Sequence, residues 1–230
     1  MICLSDSDII YKLAACDLLD DAWAAFALSP SEIYVLPTAK HKFGLTKNLQ
    51  KARERYGEIV LLRLSRFLGQ VREIDFELSA TDLQLLSGID GIDAGEAVLY
   101  VAAAQLTDFM IATGDKVGLR ALAGTKVCQS IAERLIGRVF CFEEIVRHII
   151  HHFGFQQVRV RLAAGRACDT ALRAMFGSGN DATESNVMDG LASYIDELHS
   201  LPVPLLARVP DWAYIPSSSD IHEKLGGVDE

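Results

Sequence analysis

Nowhere does the sequence assemble the roughly 18 consecutive apolar residues of a membrane-spanning helix, although half of it is hydrophobic. That apolar content is therefore expected in a core. Also missing from the N-terminus is the basic segment, apolar segment and small-residue cleavage site of a secretory signal, since Met1 passes straight into the strand-like Ile2-Cys3-Leu4. A cytoplasmic location is the expectation. The five cysteines, Cys3, Cys16, Cys128, Cys141 and Cys168, are scattered and form no CxxC pair. This excludes a zinc ribbon and a disulfide framework and reads as small buried hydrophobes. Positive charge is also scarce. A net charge of −9 argues against generic polyanion binding, because phosphate contacts require clustered Lys and Arg, and leaves room for a local basic groove. No internal repeat is present, so a solenoid is excluded as well.

The 230 residues are enough for one large domain, or for one domain with a helical appendage. Ile2 to Leu4, Glu32 to Leu36, Phe109 to Ala112 and Val139 to Phe142 are short apolar runs closed by polar or turn residues, the pattern of buried parallel strands. Ile74 to Phe76 reads as a short strand or an extended link. Between them, helical spacing runs over Ile9 to Phe26 and over Lys47 to Val71, with Gly57 dividing the second. Ser79 to Asp82 has the character of a helix N-cap, and the helix from Glu96 to Ala104 is apolar on nearly every side and so is buried. Val117 to Ala123 and Glu143 to His152 complete an alternation of strands and helices. Such alternation predicts a parallel central sheet with helices on both faces, a three-layer Rossmann-like α/β fold. The regularity fades beyond Phe155. The division expected is a domain over residues 1–155 and a mainly helical C-terminal extension over residues 156–230, with a tail from Leu201 that wraps the surface or frays.

Ligands of open parallel sheets bind outside the carboxyl ends of the strands. Asp6 and Asp115 follow two of the strands, and Glu96 opens the buried helix. Three carboxylates meeting there would repel one another unless a cation intervened, and hard oxygen donors suit Mg²⁺ or Mn²⁺. Taken singly, each has a plainer reading: Asp6 as a helix cap, Glu96 as a dipole partner, Asp115 as a turn residue.

The stretches Leu4-Ser5-Asp6-Ser7-Asp8-Ile9-Ile10, Asp93-Ala94-Gly95-Glu96-Ala97 and Ile111-Ala112-Thr113-Gly114-Asp115-Lys116, in that order and spacing, resemble the PIN-domain nuclease superfamily. Arg138 to His152 resembles that family's closing strand and helix. The resemblance implies a PIN-like fold and a metal-dependent endoribonuclease. Asp6, Glu96 and Asp115 would be both catalytic residues and metal ligands, with Asp93 as a further ligand. Ser7, Thr113, Lys40, Lys42 and Lys116 would contact substrate. Single-stranded RNA would be that substrate, and a homodimer and a protein inhibitor or partner are further implied possibilities. One departure stands out: the family usually carries another acid in the helix after the second strand, where this chain has Lys40-His41-Lys42. Asp8, Asp90, Asp93 and Asp108 are candidates to supply it, or a lysine there holds a substrate phosphate.

The basic stretch from Lys40 to Arg72 would then steer the RNA strand, or else it is the solvated face of a helix; Arg159, Arg161, Arg166 and Arg173 invite the same two readings. His148, His151 and His152 share one side of a helix and in principle could bind a transition metal. Two other functions compete with the nuclease. One is a catalytically weak PIN-like module that binds RNA or protein. The other is a phosphatase of the haloacid-dehalogenase type, since Asp6-Ser7-Asp8 is a DxD motif; its expected late GDxxxD is broken here by Leu119.

Overall fold

The computed structural model describes residues 1–207. Five strands, β1 (Ile2–Ser5), β2 (Ile33–Val35), β3 (Arg72–Glu73), β4 (Phe109–Thr113) and β5 (Val139–Cys141), form one sheet in the order β3-β2-β1-β4-β5. Every pairing is parallel. In the middle of the sheet, Leu4 lies between Tyr34 on one side and Ile111 on the other. β4 is buried along its whole length, as a strand covered on both faces must be. The helices are α1 (Ser7–Ala15), α2 (Leu19–Ala25), α3 (Ala39–Lys42), α4 (Leu49–Tyr56), α5 (Glu58–Leu68), α6 (Ala80–Ser87), α7 (Ala94–Ala104), α8 (Lys116–Gly124), α9 (Gln129–Arg134), α10 (Phe142–Phe153), α11 (Phe155–Gly165), α12 (Thr170–Met175) and α13 (Glu184–His199). The result is the expected three-layer α/β architecture. None of the described helices is long and apolar enough to cross a membrane.

Two local expectations need correction. The helix expected over Ile9 to Phe26 is two helices, because Asp17 adopts φ 57°, a left-handed conformation that Asp tolerates better than most residues. Arg63 fixes the break, its Nε 2.7 Å from Asp17 Oδ1 and its Nη1 donating to the Ala14 carbonyl at 3.0 Å. Of the two readings of Ile74 to Phe76, the extended link is the one found, with the two-residue β3 immediately before it. The stretch from Leu201 neither wraps nor frays as far as Ala207: it runs back along β5, where Leu206 bridges Val139 and Ala207 N–H donates to the Val139 carbonyl at 2.8 Å. An edge that would otherwise expose unpaired backbone is covered in this way. The remainder of that expected tail, residues 208–230, lies outside the described residues. Gly57, at φ 79°, does split the long basic helical stretch into α4 and α5.

A single hydrophobic cluster runs through the sheet and into the C-terminal segment. On α13, Val187, Leu191, Ile195 and Leu198 recur at helical spacing and are all buried, each contributing about 1.5–3 kcal/mol by leaving water. Opposite them, α10 presents Ile145, Val146, Ile149 and Ile150. Arg161 on α11 adds a forked pair to Asp21 at 2.8 and 3.1 Å, together with a bond to the Asp17 carbonyl at 3.0 Å.

The contact between α10 and α13 contains a titrating group. Glu144 is fully buried, and its Oε2 accepts the Cys141 N–H at 3.1 Å. Burial raises its pKa from 4.5 to about 7, opposed by the Cys141 N–H and the Arg147 charge. His199 Nε2 stands 3.9 Å from Oε1. An acid whose folded pKa exceeds its unfolded value holds more protons when folded, so stability is full below pH 4.5 and declines as pH rises through about 7. The decline attributable to this group is at most about 3 kcal/mol. Glu144→Gln preserves the Cys141 bond and is expected to remove that part of the slope, which urea melts at pH 5 and pH 8 would measure.

Candidate acidic site at the strand ends

Chain progression reverses across β1. β2 and β3 lie on one side and β4 and β5 on the other, so the carboxyl ends of β1 and β4 flank the switch point where doubly wound sheets bind ligands. Asp6 leaves β1 there as the N-cap of α1, its Oδ1 accepting the backbone N–H groups of Asp8 and Ile9. Its Oδ2 accepts the Thr113 hydroxyl at 2.7 Å and the Gly114 N–H at 3.3 Å. Thr113 Oγ1 in turn accepts the Asp115 N–H at 3.2 Å. The last residue of β4 therefore links the two aspartates and sets their relative position. Asp115 caps α8, its Oδ1 accepting from Val117 at 2.8 Å and Gly118 at 3.1 Å.

Glu96 enters from α7. It forms a reciprocal capping box with Asp93: Asp93 N–H donates to Glu96 Oε2 at 2.7 Å, and Glu96 N–H donates to Asp93 Oδ1 at 2.8 Å. This satisfies two helix-terminal donors. Oε1 is left buried with no hydrogen-bond partner among the described residues. Helix α8 approaches that carboxylate very closely. A Cβ at Gly118 would stand 2.5 Å from Oε1 and 2.8 Å from Cδ, so a larger residue there would require the Glu96 side chain to move.

The protonation equilibria reflect this crowding. Burial, opposed by the Asp93 N–H and reinforced by Asp115, pushes Glu96 up to about 8. Asp6 is raised by burial, against the Thr113 hydrogen bond and with the help of Asp8. One turn beyond Glu96, the Tyr100 hydroxyl is wholly buried and unpartnered among the described residues. Its pKa is raised first by burial and then by the charges of Glu96, Asp6, Asp115 and Asp93. The four acids thus lie near enough to one phenol for their charges to act on it.

None of the four takes part in an ion pair among the described residues, whereas the neighbouring acids do. Asp8 and Asp169 both hold Lys12, and Glu143 holds Lys116 at 2.6 Å. These groups line an open cleft of about 400 Å³ beside the acids, with Tyr194 from α13 on its wall. Carboxylate oxygens around a buried, unpartnered Oε1 are the donors a hard divalent cation prefers. The four acids are neighbours and not a closed coordination shell, for among the described residues no three His, Cys, Asp or Glu side chains stand in metal-holding geometry. Repulsion and the capping bonds explain the spread, each carboxylate being drawn to its own helix terminus.

The structure thus brings Asp6, Glu96, Asp93, Asp115, Ser7 and Thr113 to one end of the sheet, and Ser7 Oγ is buried there without a partner among the described residues. Lys116 lies on the cleft wall, engaged with Glu143 and 4.3 Å from the centre of the Tyr194 ring. Lys40 is exposed and paired with Glu73 at 3.0 Å, and Lys42 is exposed with no ion pair among the described residues; neither bonds to the acids. Of the candidates for the extra acid, Asp108 sits at the amino end of β4, 3.1 Å from the Met1 amino group, and so at the wrong end of the sheet. The histidines do not cluster as ligands. His148 bonds the Ala25 carbonyl at 2.8 Å and stacks on Phe26, while His151 and His152 are exposed. In the basic stretches, Arg53, Arg63, Arg66 and Arg161 are paired with acids of the surface.

Lys12, Asp169, Glu143 and Tyr100 were not singled out from the sequence. For Lys12 the available signal was its i,i+4 spacing from Asp8, and for Asp169 its place as N-cap of α12.

Fold and site together define an all-parallel α/β protein with an acidic crevice at its topological switch point. Comparison with protein-family models, with curated proteins and with solved structures found no match to the chain.

Proposed function

We propose that the chain is a divalent-metal-dependent ribonuclease of the PIN-domain type, acting in the cytoplasm and hydrolysing RNA phosphodiester bonds in the crevice between β1 and β4. The observation that carries this reading is the buried Oε1 of Glu96, without a partner among the described residues, beside Asp93 and Asp115 and at the same end of the sheet as Asp6. Asp6, Glu96 and Asp115, with Asp93 behind them, would hold Mg²⁺ or Mn²⁺. Once bound, the ion would polarise a phosphoryl oxygen and lower the pKa of a coordinated water. The protein's own residues do the remaining work. Thr113 holds Asp6 and Asp115 in fixed relation, and the N-termini of α1, α7 and α8 converge on the crevice, where their partial positive charge favours a phosphate. The choice of RNA over DNA rests on the sequence resemblance.

A second reading, an RNA- or protein-binding module with little catalysis, is favoured by one observation. The lysines lining the cleft, Lys12 and Lys116, are already paired with acids, which weakens the pull on a polyanion.

Incubating wild type and Asp6→Asn with single-stranded RNA and with a phosphomonoester, with and without Mn²⁺, separates the readings. Mn²⁺-dependent RNA cleavage that falls at least a hundredfold in Asp6→Asn is the expected result. RNA binding without cleavage would transfer support to the module, and phosphomonoester turnover would point to a phosphatase.

A further inference from the structure

Lys12 is an unusual lysine. Its side chain is largely buried on α1, with Nζ 2.7 Å from Asp8 Oδ2 and 2.9 Å from Asp169 Oδ2. The Phe142 ring centre lies 5.2 Å from it. Burial lowers its pKa, but Asp8 and Asp169 outweigh burial and raise it, so the ammonium stays charged. Asp169 is correspondingly lowered by Lys12 against its own burial. The ammonium is also close to the acids: a Cβ on Gly114 would come 3.1 Å from Nζ, and the N–H of the same Gly114 binds Asp6 Oδ2.

We propose that the Lys12 ammonium is a built-in cation of this site, seated between Asp8 and Asp169 where a second divalent ion would otherwise bind. The inference rests on the metal-dependent reading above and deepens it. Two carboxylate oxygens face one point at 2.7 and 2.9 Å, and a divalent ion in place of the ammonium would draw them in toward its ~2.0–2.6 Å coordination sphere, by up to ~0.9 Å for Mg²⁺. In two-ion phosphoryl transfer, the second ion clamps an oxygen of the in-line displacement. An ammonium has three N–H donors; here two are committed to Asp8 and Asp169, and the third is left for a phosphate or leaving-group oxygen. The site then takes one metal ion. It also requires the C-terminal segment, because half of the lysine's seat is Asp169, the N-cap of α12.

The test counts Mn²⁺ ions per chain by calorimetry and electron paramagnetic resonance in wild type, Lys12→Arg, Lys12→Met and Lys12→Met/Asp169→Asn. Wild type and Lys12→Arg are expected to bind one ion, Lys12→Met one more, and the double variant one again. An unchanged count in Lys12→Met overturns the proposal, as does an extra ion that persists without the Asp169 charge. Should Lys12→Met fail to fold without metal, Mn²⁺ must restore the fold where KCl of equal ionic strength does not; failure to do so also overturns it. A wild type that binds no Mn²⁺ would sink the nuclease reading, while the one-ion increment between wild type and Lys12→Met still decides the role of Lys12.

Discussion

Glu96→Gln is expected to make the metal-free protein more stable at pH 8 and at the same time to abolish its response to Mn²⁺. In the wild type, burial and Asp115 raise the Glu96 pKa from 4.5 to about 8. The folded state therefore binds more protons than the unfolded state between those values, and stability is lost as pH climbs from about 4.5 through about 8. At about 1.4 kcal/mol per unit, the ionised carboxylate costs about 2–4 kcal/mol in the absence of a cation. Glutamine carries no such cost. Its carbonyl oxygen can still accept the Asp93 N–H, and its amide can donate toward the Asp115 carboxylate. The gain in melting temperature over wild type should thus be largest at pH 8 and vanish near pH 5. With Mn²⁺ at about a hundred times its dissociation constant, the wild type should recover about 2.7 kcal/mol, with release of a proton near pH 7 as the metal displaces it. A variant that is more stable yet inert to metal is the mark of a residue kept for chemistry. Equal stability of wild type and variant across this pH range would remove Glu96 from the site.

The second large effect is at Asp6. Asp6→Ala removes the acceptor for Asp8 and Ile9 at the start of α1 and for Thr113 and Gly114 at the end of β4. A lost N-cap costs about 1 kcal/mol, and stranded buried donors cost about 1–3 kcal/mol more. Asp6→Asn retains the cap through its amide oxygen and sets an NH₂ against Gly114 N–H, so about 1 kcal/mol is expected. Chemical denaturation should rank wild type, Asn and Ala in that order. Metal-dependent activity should be lost in both variants, so that loss of activity in the well-folded Asn form separates chemistry from folding.

Much of the architecture is legible in the sequence because buried parallel strands are written as short continuous apolar runs. Ile2-Cys3-Leu4 and Phe109-Met110-Ile111-Ala112 each end in a polar residue that marks the carboxyl end of a strand. The same grammar picks out Asp6 and Asp115, and the Asp93–Glu96 spacing is that of a capping box. What stayed hidden depends on contacts between distant parts of the chain. The apolar period runs straight through Leu13, Leu18 and Ala22, so nothing local announces that the helix breaks at Asp17; Arg63 from α5 decides it. Lys12 likewise looks like an ordinary surface lysine until Asp169, from far along the sequence, closes over it. Glu143 and Glu144 were readable only as helix-start acids. Their burial depends on how α10 packs against α13, which no single-helix pattern encodes.

Anomalous scattering from a crystal soaked in Mn²⁺ is the most direct measurement of whether these acids serve one ion. The expected map has a single strong peak at the ends of β1 and β4, within ~2.0–2.6 Å of oxygens from Asp6, Glu96 and Asp115, with Lys12 still between Asp8 and Asp169. Soaked crystals with no peak there, and with those oxygens spread too far apart to share an ion, would contradict it.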